Sequence, residues 1–208
     1  MQMGRNRTVK LLEKIKMDLI AKSRDNYKKV VLSLLEKNEN ASVLDLGCGD
    51  YKRLTEKIGG KVGTRYPIYG IDIDIGEASG NIITFAGDLN KKFPIGEIRF
   101  DVVIASQIIE HLWNTDGFLK EIYRVLKPTG NAIISTPNLG AWHNRLYLLL
   151  GKQPEPCKVS DDMFPDHEKP GHLRIFTANE LIKLLEFHNF KIEKVIKTFG
   201  NVTVKVRK

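Results

Sequence analysis

A mostly parallel α/β sheet covered by helices is the fold class this chain predicts, and three observations predict it. Strand-like apolar runs alternate with segments of helical periodicity from Ser42 onward, the pattern of parallel strands joined by crossover helices. The first run, Val43-Leu44-Asp45-Leu46, enters a glycine turn, Gly47-Cys48-Gly49-Asp50, whose glycines allow backbone conformations that side chains forbid and let a ligand approach the main chain. The last two runs are joined by little more than Phe199-Gly200-Asn201, a hairpin-length link that makes the final strand antiparallel to its neighbour. The expectation is a seven-stranded sheet with an antiparallel last strand, helices on both faces and an N-terminal helical extension.

In chain order, residues 8–20 (Val9, Leu12, Ile15, Leu19) and 26–37 (Val30, Val31, Leu34, Leu35) carry helical spacing. They define an N-terminal helical segment, residues 1–40, that could fold over a bound ligand as a lid. The strand candidates are Ser42 to Leu46, Ile68 to Ile73, Ile82 to Phe85, Phe100 to Ala105, Ala132 to Ser135, Ile192 to Thr198 and Val202 to Val206. Helices are expected over Tyr51 to Ile58, Thr115 to Leu126, Leu139 to Leu150 and Thr177 to Phe187, with Gly59-Gly60, Pro128-Thr129-Gly130 and Gly151 as stops. Only Gly76 to Asn81 separates the second and third strands, so that crossover is abbreviated. Lys152 to Gly171 holds Pro154, Pro156, Pro165 and Pro170 and no clear period. A long irregular loop within a compact domain is more often functional than accidental. The core domain is therefore 41–208, with 138–176 placed as a helix and loop over the acceptor site.

A chain of 208 residues with a formal net charge of +8 is long enough for one substantial core. Positive charge concentrates at the two ends, at Arg5, Arg7, Lys10, Lys14 and Lys16, and at Lys191, Lys194, Lys197, Lys205, Arg207 and Lys208. It hints at nucleic acid, phosphorylated substrates or a membrane surface, yet the alternation with Leu11, Ile15, Ile192 and Val195 is also how ordinary solvated faces read. Two cysteines, Cys48 and Cys157, make neither a disulfide framework nor a metal-ligand cluster, and a reducing cytoplasmic location is the simplest expectation. No apolar run approaches the roughly 20 residues of a transmembrane helix, and the basic start lacks a signal peptide's apolar region.

The glycine turn is the richest motif. A nicotinamide or flavin fingerprint reads G-x-G-x-x-G and presents a helix N-terminus to a pyrophosphate; here no third glycine is in register. Asp45 would repel a pyrophosphate and suits a ligand with positive charge and amine protons, as in the ammonium and sulfonium of S-adenosylmethionine. The alternative is a tight strand-to-helix connection with no ligand. Asp72, at the end of the second strand beside Ile73, can accept from two ribose hydroxyls, while Asp74 lies on the same face further along. Asp88 at the third strand end could accept an adenine amine, with Leu89 packed against the ring. Past the fourth strand, Ser106, Gln107 and His111 stand where open α/β sheets bind ligands.

The ordered motifs Val43 to Asp50, Tyr69 to Asp74, Ala86 to Leu89, Phe100 to Leu112 and Arg124 to Gly130 with Ala132 to Asn138 resemble the class I S-adenosylmethionine-dependent methyltransferases. Within them the chain is similar to the group that includes ubiquinone-biosynthesis-type small-molecule methyltransferases. Gly171 to Leu181 also looks like a segment of that group. The resemblance implies a Rossmann-like seven-stranded sheet with a reversed last strand. It implies that Asp45, Gly47 and Gly49 surround the methionine part, that Asp72 meets the ribose and that Asp88 and Leu89 meet the adenine, with Cys48 and Ile73 also expected in the cofactor site. Asp50 stands where many members carry glycine, alanine or serine.

Methyl transfer from a sulfonium is an in-line displacement with a neutral leaving group, so alignment and water exclusion are the main tasks. For a hydroxyl acceptor a base helps, and His111, His143, His167 and His172 are the candidates, with His111 and His172 placed first. His172 and Arg174 bound the long loop and are expected to touch substrate, although Arg174 could instead fasten the helix that follows. Trp142, Tyr147 and Phe164 could line an acceptor pocket or be ordinary core. No Asp-Pro-Pro-aromatic run follows the fourth strand, and Pro156-Cys157 lies in the irregular loop, so amino-group methylation of adenine and pyrimidine-carbon chemistry are disfavoured. A small-molecule or lipophilic acceptor is the leading expectation; the alternatives are an RNA- or protein-directed methyltransferase and a non-catalytic nucleic-acid-binding module.

Overall fold

The computed structural model describes residues 26–49, 53–75, 80–154, 157 and 171–208. Its elements in order are a helix over 26–33 (α1), β1 (Val43–Leu46), α2 (Arg53–Val62), β2 (Ile68–Asp72), β3 (Ile82–Ala86), β4 (Phe100–Ser106), a 3-10 turn (Ile109–His111), α3 (Thr115–Val125), β5 (Leu126–Pro137), α4 (Trp142–Leu149), α5 (Ala178–Phe187), β6 (Lys191–Lys197) and β7 (Asn201–Arg207). The strands form one sheet in the order β3-β2-β1-β4-β5-β7-β6. β1 to β5 run parallel, and β7 lies antiparallel between β5 and β6. All five parallel strands therefore end on one edge.

Both faces of the sheet are covered, which is why β1 is buried at all four positions. One face carries Leu44, Leu46, Ile71, Val103 and Ile134 against Phe118, Leu119 and Ile122 of α3 and Leu181 and Leu185 of α5. On the other, Val43, Ile68, Ile104 and Ile133 pack against Ile58 and Val62 of α2 and against Val31, Leu34 and Leu35. The second of the two leading helices is thus tied into the sheet rather than poised over the glycine turn. The first, and most of the proline-containing loop, lie outside the described residues.

Several boundaries differ from the sequence reading, two of them at glycines. α2 runs through Gly59-Gly60 because a side chain at Gly59 would stand 3.3 Å from Ile68 Cγ1; the glycine is there for close helix-to-strand packing. The helix ends instead at Gly63, in the left-handed region at φ +68°. Pro128-Thr129-Gly130 lies inside β5, whose first residue pairs with Phe100 before a register shift. At Gly130 a Cβ would meet the Phe100 carbonyl at 2.9 Å. Thr177 caps α5, its hydroxyl accepting from the Glu180 amide, and Asn114 caps α3 by accepting from the Gly117 amide.

The basic C-terminal strand is largely engaged within the protein. Lys205 pairs with Glu36 at 2.6 Å, Arg207 with Glu193 at 2.5 Å, and the Lys208 ammonium donates to the Leu126 carbonyl.

Phe118 is fully buried and meets Phe93 edge to face at 6.0 Å. Phe118→Ala is expected to destabilise the domain by about 3–5 kcal/mol, read as a lowered denaturant midpoint at unchanged m-value.

Candidate active site

At the C-terminal edge of the sheet, the turn after β1 is set by two left-handed glycines, Gly47 at φ +76° and Gly49 at φ +64°. The Gly47 amide continues the ladder by donating to the Ile71 carbonyl at 2.9 Å, and a Cβ there would meet Ile108 at 3.0 Å. Gly49 differs: among the described residues nothing lies within 4 Å of where its Cβ would stand. Its amide donates to Asp72 Oδ2 at 2.7 Å, and the Asp74 amide donates to Asp72 Oδ1 at 3.2 Å. Each carboxylate oxygen retains a second lone pair for a ligand hydroxyl. Cys48 turns its sulfur toward β2, where a Cβ on Gly70 would come within 2.8 Å of it. Its side chain therefore packs on the sheet, and only its backbone remains for a ligand.

Asp45 lies below the turn, buried, with Oδ2 accepting from the Thr55 hydroxyl of α2 at 2.6 Å. Burial, with the nearby Asp72 charge adding to it, pushes the Asp45 carboxyl up to about 7 against the pull of the Thr55 hydrogen bond. Asp88 behaves oppositely. The Asn90 amide donates to its Oδ1 at 2.9 Å and holds its carboxyl below the usual range. The Leu89 side chain is buried in the larger core cluster, so it is not a wall for a ring. Ile73 is 77% exposed at the end of β2, an apolar surface beside Asp72.

The edge of β4 is strained and polar. Gln107 has φ +57°, and its amide donates to the Ser135 carbonyl at 2.7 Å, which turns the chain sharply past Ser106. Ile108 then backs Gly47, and the 3-10 turn brings up Glu110 and His111. Glu110 is buried; its Oε2 accepts from the Thr136 hydroxyl at 2.9 Å, and burial raises its carboxyl to about 7. The Leu173 and Arg174 amides donate to the Glu110 carbonyl at 2.9 and 3.1 Å, fastening residues 171–174 to this turn. The rings of His111 and His172 meet edge to face at 4.9 Å, and Glu110, His111 and His172 each offer a donor atom within 4.8 Å of the others. Such a group can pass a proton or share a cation. Two buried oxygens, Ser106 Oγ and Glu110 Oε1, find no hydrogen-bond partner among the described residues; atoms of this kind mark where a ligand's polar groups belong.

The comparisons with known proteins follow this geometry. A family model described as a methyltransferase domain matches residues 19–195. The chain belongs to that family. A phosphoethanolamine N-methyltransferase of Plasmodium falciparum is 30% identical over 195 residues, covering 86% of this chain and 65% of that protein. A probable S-adenosylmethionine-dependent methyltransferase of Mycolicibacterium smegmatis is 33% identical over 108 residues, 52% of this chain and 35% of its own length. A ubiquinone biosynthesis O-methyltransferase of Rickettsia bellii is 33% identical over 109 residues, 46% of this chain and 42% of its own. The chain thus spans between 35% and 65% of these curated relatives. Among solved structures, 1,6-didemethyltoxoflavin-N1-methyltransferase of Burkholderia thailandensis superposes with a TM-score of 0.61 at 18% identity, over 93% of this chain and 87% of that one, which shows the shared fold.

S-adenosylmethionine is the cofactor of this methyltransferase domain, and the residues present fit it. Gly49 opens on space a side chain would fill, Ser106 Oγ is available, and the carboxylates of Asp45, Asp72 and Asp88 line one edge. The structure gathers the predicted cofactor residues Asp45, Gly47, Cys48, Gly49, Asp72, Ile73, Asp88, Leu89, Ser106 and Gln107 on or just below that edge. It also brings His111 and His172 together across a long sequence separation. It does not place Arg174 against an acceptor: its guanidinium donates to the Trp113 carbonyl at 2.8 Å and fastens the segment. Trp142 is exposed and meets Phe199 edge to face, and Tyr147 is exposed too, so neither lines an enclosed pocket among the described residues. Asp50, Phe164 and His167 lie outside those residues. Sequence reasoning passed over Glu110, Thr55 and Thr136. An acid inside Ile108-Ile109-Glu110-His111-Leu112 was a signal of a buried carboxyl.

Two measurements check this geometry. Asp72→Ala is expected to weaken S-adenosylmethionine binding by about 1–3 kcal/mol, measured by calorimetry. The raised Asp45 carboxyl stays protonated in the fold where the unfolded chain ionises, so its contribution to stability is complete below the ordinary carboxylate range and is lost as pH rises to about 7. Asp45→Asn should flatten that fall, by at most about 1.4 kcal/mol per pH unit, in melts recorded between acid and neutral pH.

Proposed function

We propose that this chain transfers the methyl group of S-adenosylmethionine to the hydroxyl of a small, lipophilic acceptor, with the Glu110, His111 and His172 cluster receiving the acceptor's proton. The observation that carries it is the cluster itself. An imidazole pair backed by a buried carboxyl at the ligand edge is costly to keep unless it handles protons. The names of relatives support a small-molecule acceptor and divide on its atom: the Rickettsia protein is named an O-methyltransferase, while the Plasmodium and Burkholderia proteins are named N-methyltransferases, so the hydroxyl rests on the cluster.

When bound, the cofactor supplies a methyl carbon activated by its sulfonium. That methyl would pass to the acceptor oxygen by in-line displacement, the C–O bond forming as the S–C bond breaks and the electron pair leaving on sulfur, with Asp45, Asp72 and the glycine turn as the groups that would hold the cofactor. His111 takes the hydroxyl proton, and His172, whose ring edge meets it, narrows the positions the imidazole can adopt. Ionised Glu110 steadies the imidazolium that forms; protonated, it cannot. The Gln107 turn and Ile108 hold the glycine turn against β4, so the cofactor edge and the proton acceptor keep a fixed distance. A nucleic-acid reading gains little from the basic C-terminal strand, since Lys205 and Arg207 are already paired. No helix among the described residues is long and apolar enough to cross a membrane.

A screen of phenolic and alcoholic metabolites with methyl-labelled cofactor should yield a labelled low-mass product. Label found only in RNA or protein refutes the proposal. On the acceptor so found, His111→Asn is expected to lower kcat about 100-fold or more while S-adenosylmethionine binding is kept. Activity should rise as pH passes through about 7, where the raised Glu110 carboxyl ionises, and Glu110→Gln should lower the activity reached above that pH.

A further inference from the structure

Asn90, in the loop after β3, joins two parts of the ligand edge that are 23 residues apart in the chain. Its side-chain carbonyl accepts from the Trp113 amide at 2.9 Å and from the Asn114 amide at 3.1 Å, and its side-chain amide donates to Asp88 Oδ1 at 3.0 Å. The main chain repeats the connection. The Asn90 amide donates to the same Asp88 oxygen at 2.9 Å, and the Asn90 carbonyl accepts from Asn114 Nδ2 at 3.0 Å. Asp88 is ionised here, since the Asn90 amide holds its carboxyl below the usual range. Two backbone amides can only donate and a carboxylate can only accept, so the Asn90 side-chain oxygen must face Trp113 and Asn114 and its nitrogen must face Asp88. An asparagine that only closed its own turn would need the Asp88 bonds alone.

The far side of this bridge leads to the imidazoles. The Arg174 guanidinium donates to the Trp113 carbonyl at 2.8 Å, and the Leu173 and Arg174 amides donate to the Glu110 carbonyl. The segment that carries His172 is thus held at Trp113 and at Glu110, and Asn90 fixes the first of these. The near side faces the cofactor. Asp88 Oδ2 meets the ammonium of the exposed Lys91 at 3.5 Å, a pair that water screens and that an adenine amine can replace. Covering Asp88 with a ring removes water from it, and the hydrogen bonds it already accepts strengthen as the local dielectric falls. Order supplied by one ligand is order that a second ligand need not supply.

We propose that Asn90 is a positioning residue through which adenine on Asp88 firms the segment that carries His172, so that the acceptor site is completed once the cofactor is in place. This rests on the reading of His111 and His172 given above and on Asp88 meeting the adenine.

The test is amide hydrogen exchange of the full chain, followed by nuclear magnetic resonance at Leu173 and Arg174, free and saturated with S-adenosylhomocysteine, with saturation set by calorimetry for each variant. In the wild-type chain the ligand should slow exchange at both amides about fivefold or more, and saturating adenosine should do the same. Asn90→Asp keeps an acceptor for the Trp113 and Asn114 amides and loses the donor to Asp88, so it should keep the ligand-free rates near those of the wild type and lose the slowing. Asn90→Ala should speed exchange without ligand and lose the slowing as well. Slowing of wild-type size in Asn90→Asp overturns the role of Asn90, and slowing by S-adenosylhomocysteine but not by adenosine overturns the adenine as its source. Saturation of the wild type without slowing overturns the coupling and leaves the methyl-transfer reading standing. A chain that binds no S-adenosylhomocysteine removes that reading and this inference with it.

Discussion

Two carboxylates on one face of neighbouring parallel strands set the terms for the rest of this structure. Asp45 pairs in register with Gly70, so Asp72 stands two residues further along on the same face. Asp45 is buried, so its charge is disfavoured first by burial and then by the neighbouring Asp72 charge, and it cannot be placed there without compensation. The compensation is local and directional. Thr55 donates to Asp45 from the helix behind, and Gly49 donates to Asp72 from the turn above. α2, the glycine turn and β2 are thereby fixed to one another by groups that a cationic ligand would further satisfy. Gly70 without a side chain lets Cys48 lie flat between them. A ligand site is thus written into the hydrogen bonds that make the turn possible, before any ligand arrives.

The fold was legible because it depends on one-dimensional patterns. Strand alternation, the glycine turn and the short link at Gly200 each report on backbone conformation within a few residues, and the seven strands lie where that spacing puts them. The errors have one cause. Gly59 and Gly130 are punctuation marks by composition, yet each is a glycine because another element comes too close for a Cβ, Ile68 in one case and the Phe100 carbonyl in the other. Close approach is a property of the folded chain, and one sequence carries no direct signal of it.

The site was legible in proportion to how much of it is backbone. Gly47, Gly49 and the acids at strand ends announce themselves, since parallel strands deliver their C-terminal residues to one edge. Side-chain direction does not follow from position in the same way. Leu89 occupies a site position and points into the core, while Arg174 bounds the loop and donates to the Trp113 carbonyl. Glu110 went unseen for the converse reason. It lies among isoleucines that bury it, and burial turns a common surface residue into one whose proton is held to about pH 7.

That burial also joins two parts of the molecule that the sequence keeps far apart. The Glu110 carbonyl accepts from Leu173 and Arg174, while its carboxyl accepts from Thr136. One residue thereby fastens the returning segment to the β4 turn through its backbone and faces the imidazoles through its side chain. A shift of the segment that carries His172 would strain the same peptide whose side chain, in the function proposed above, steadies the proton acceptor. Residues 171–174 are anchored at that turn. The root of α4 joins the same returning segment through Asn138 and Phe176.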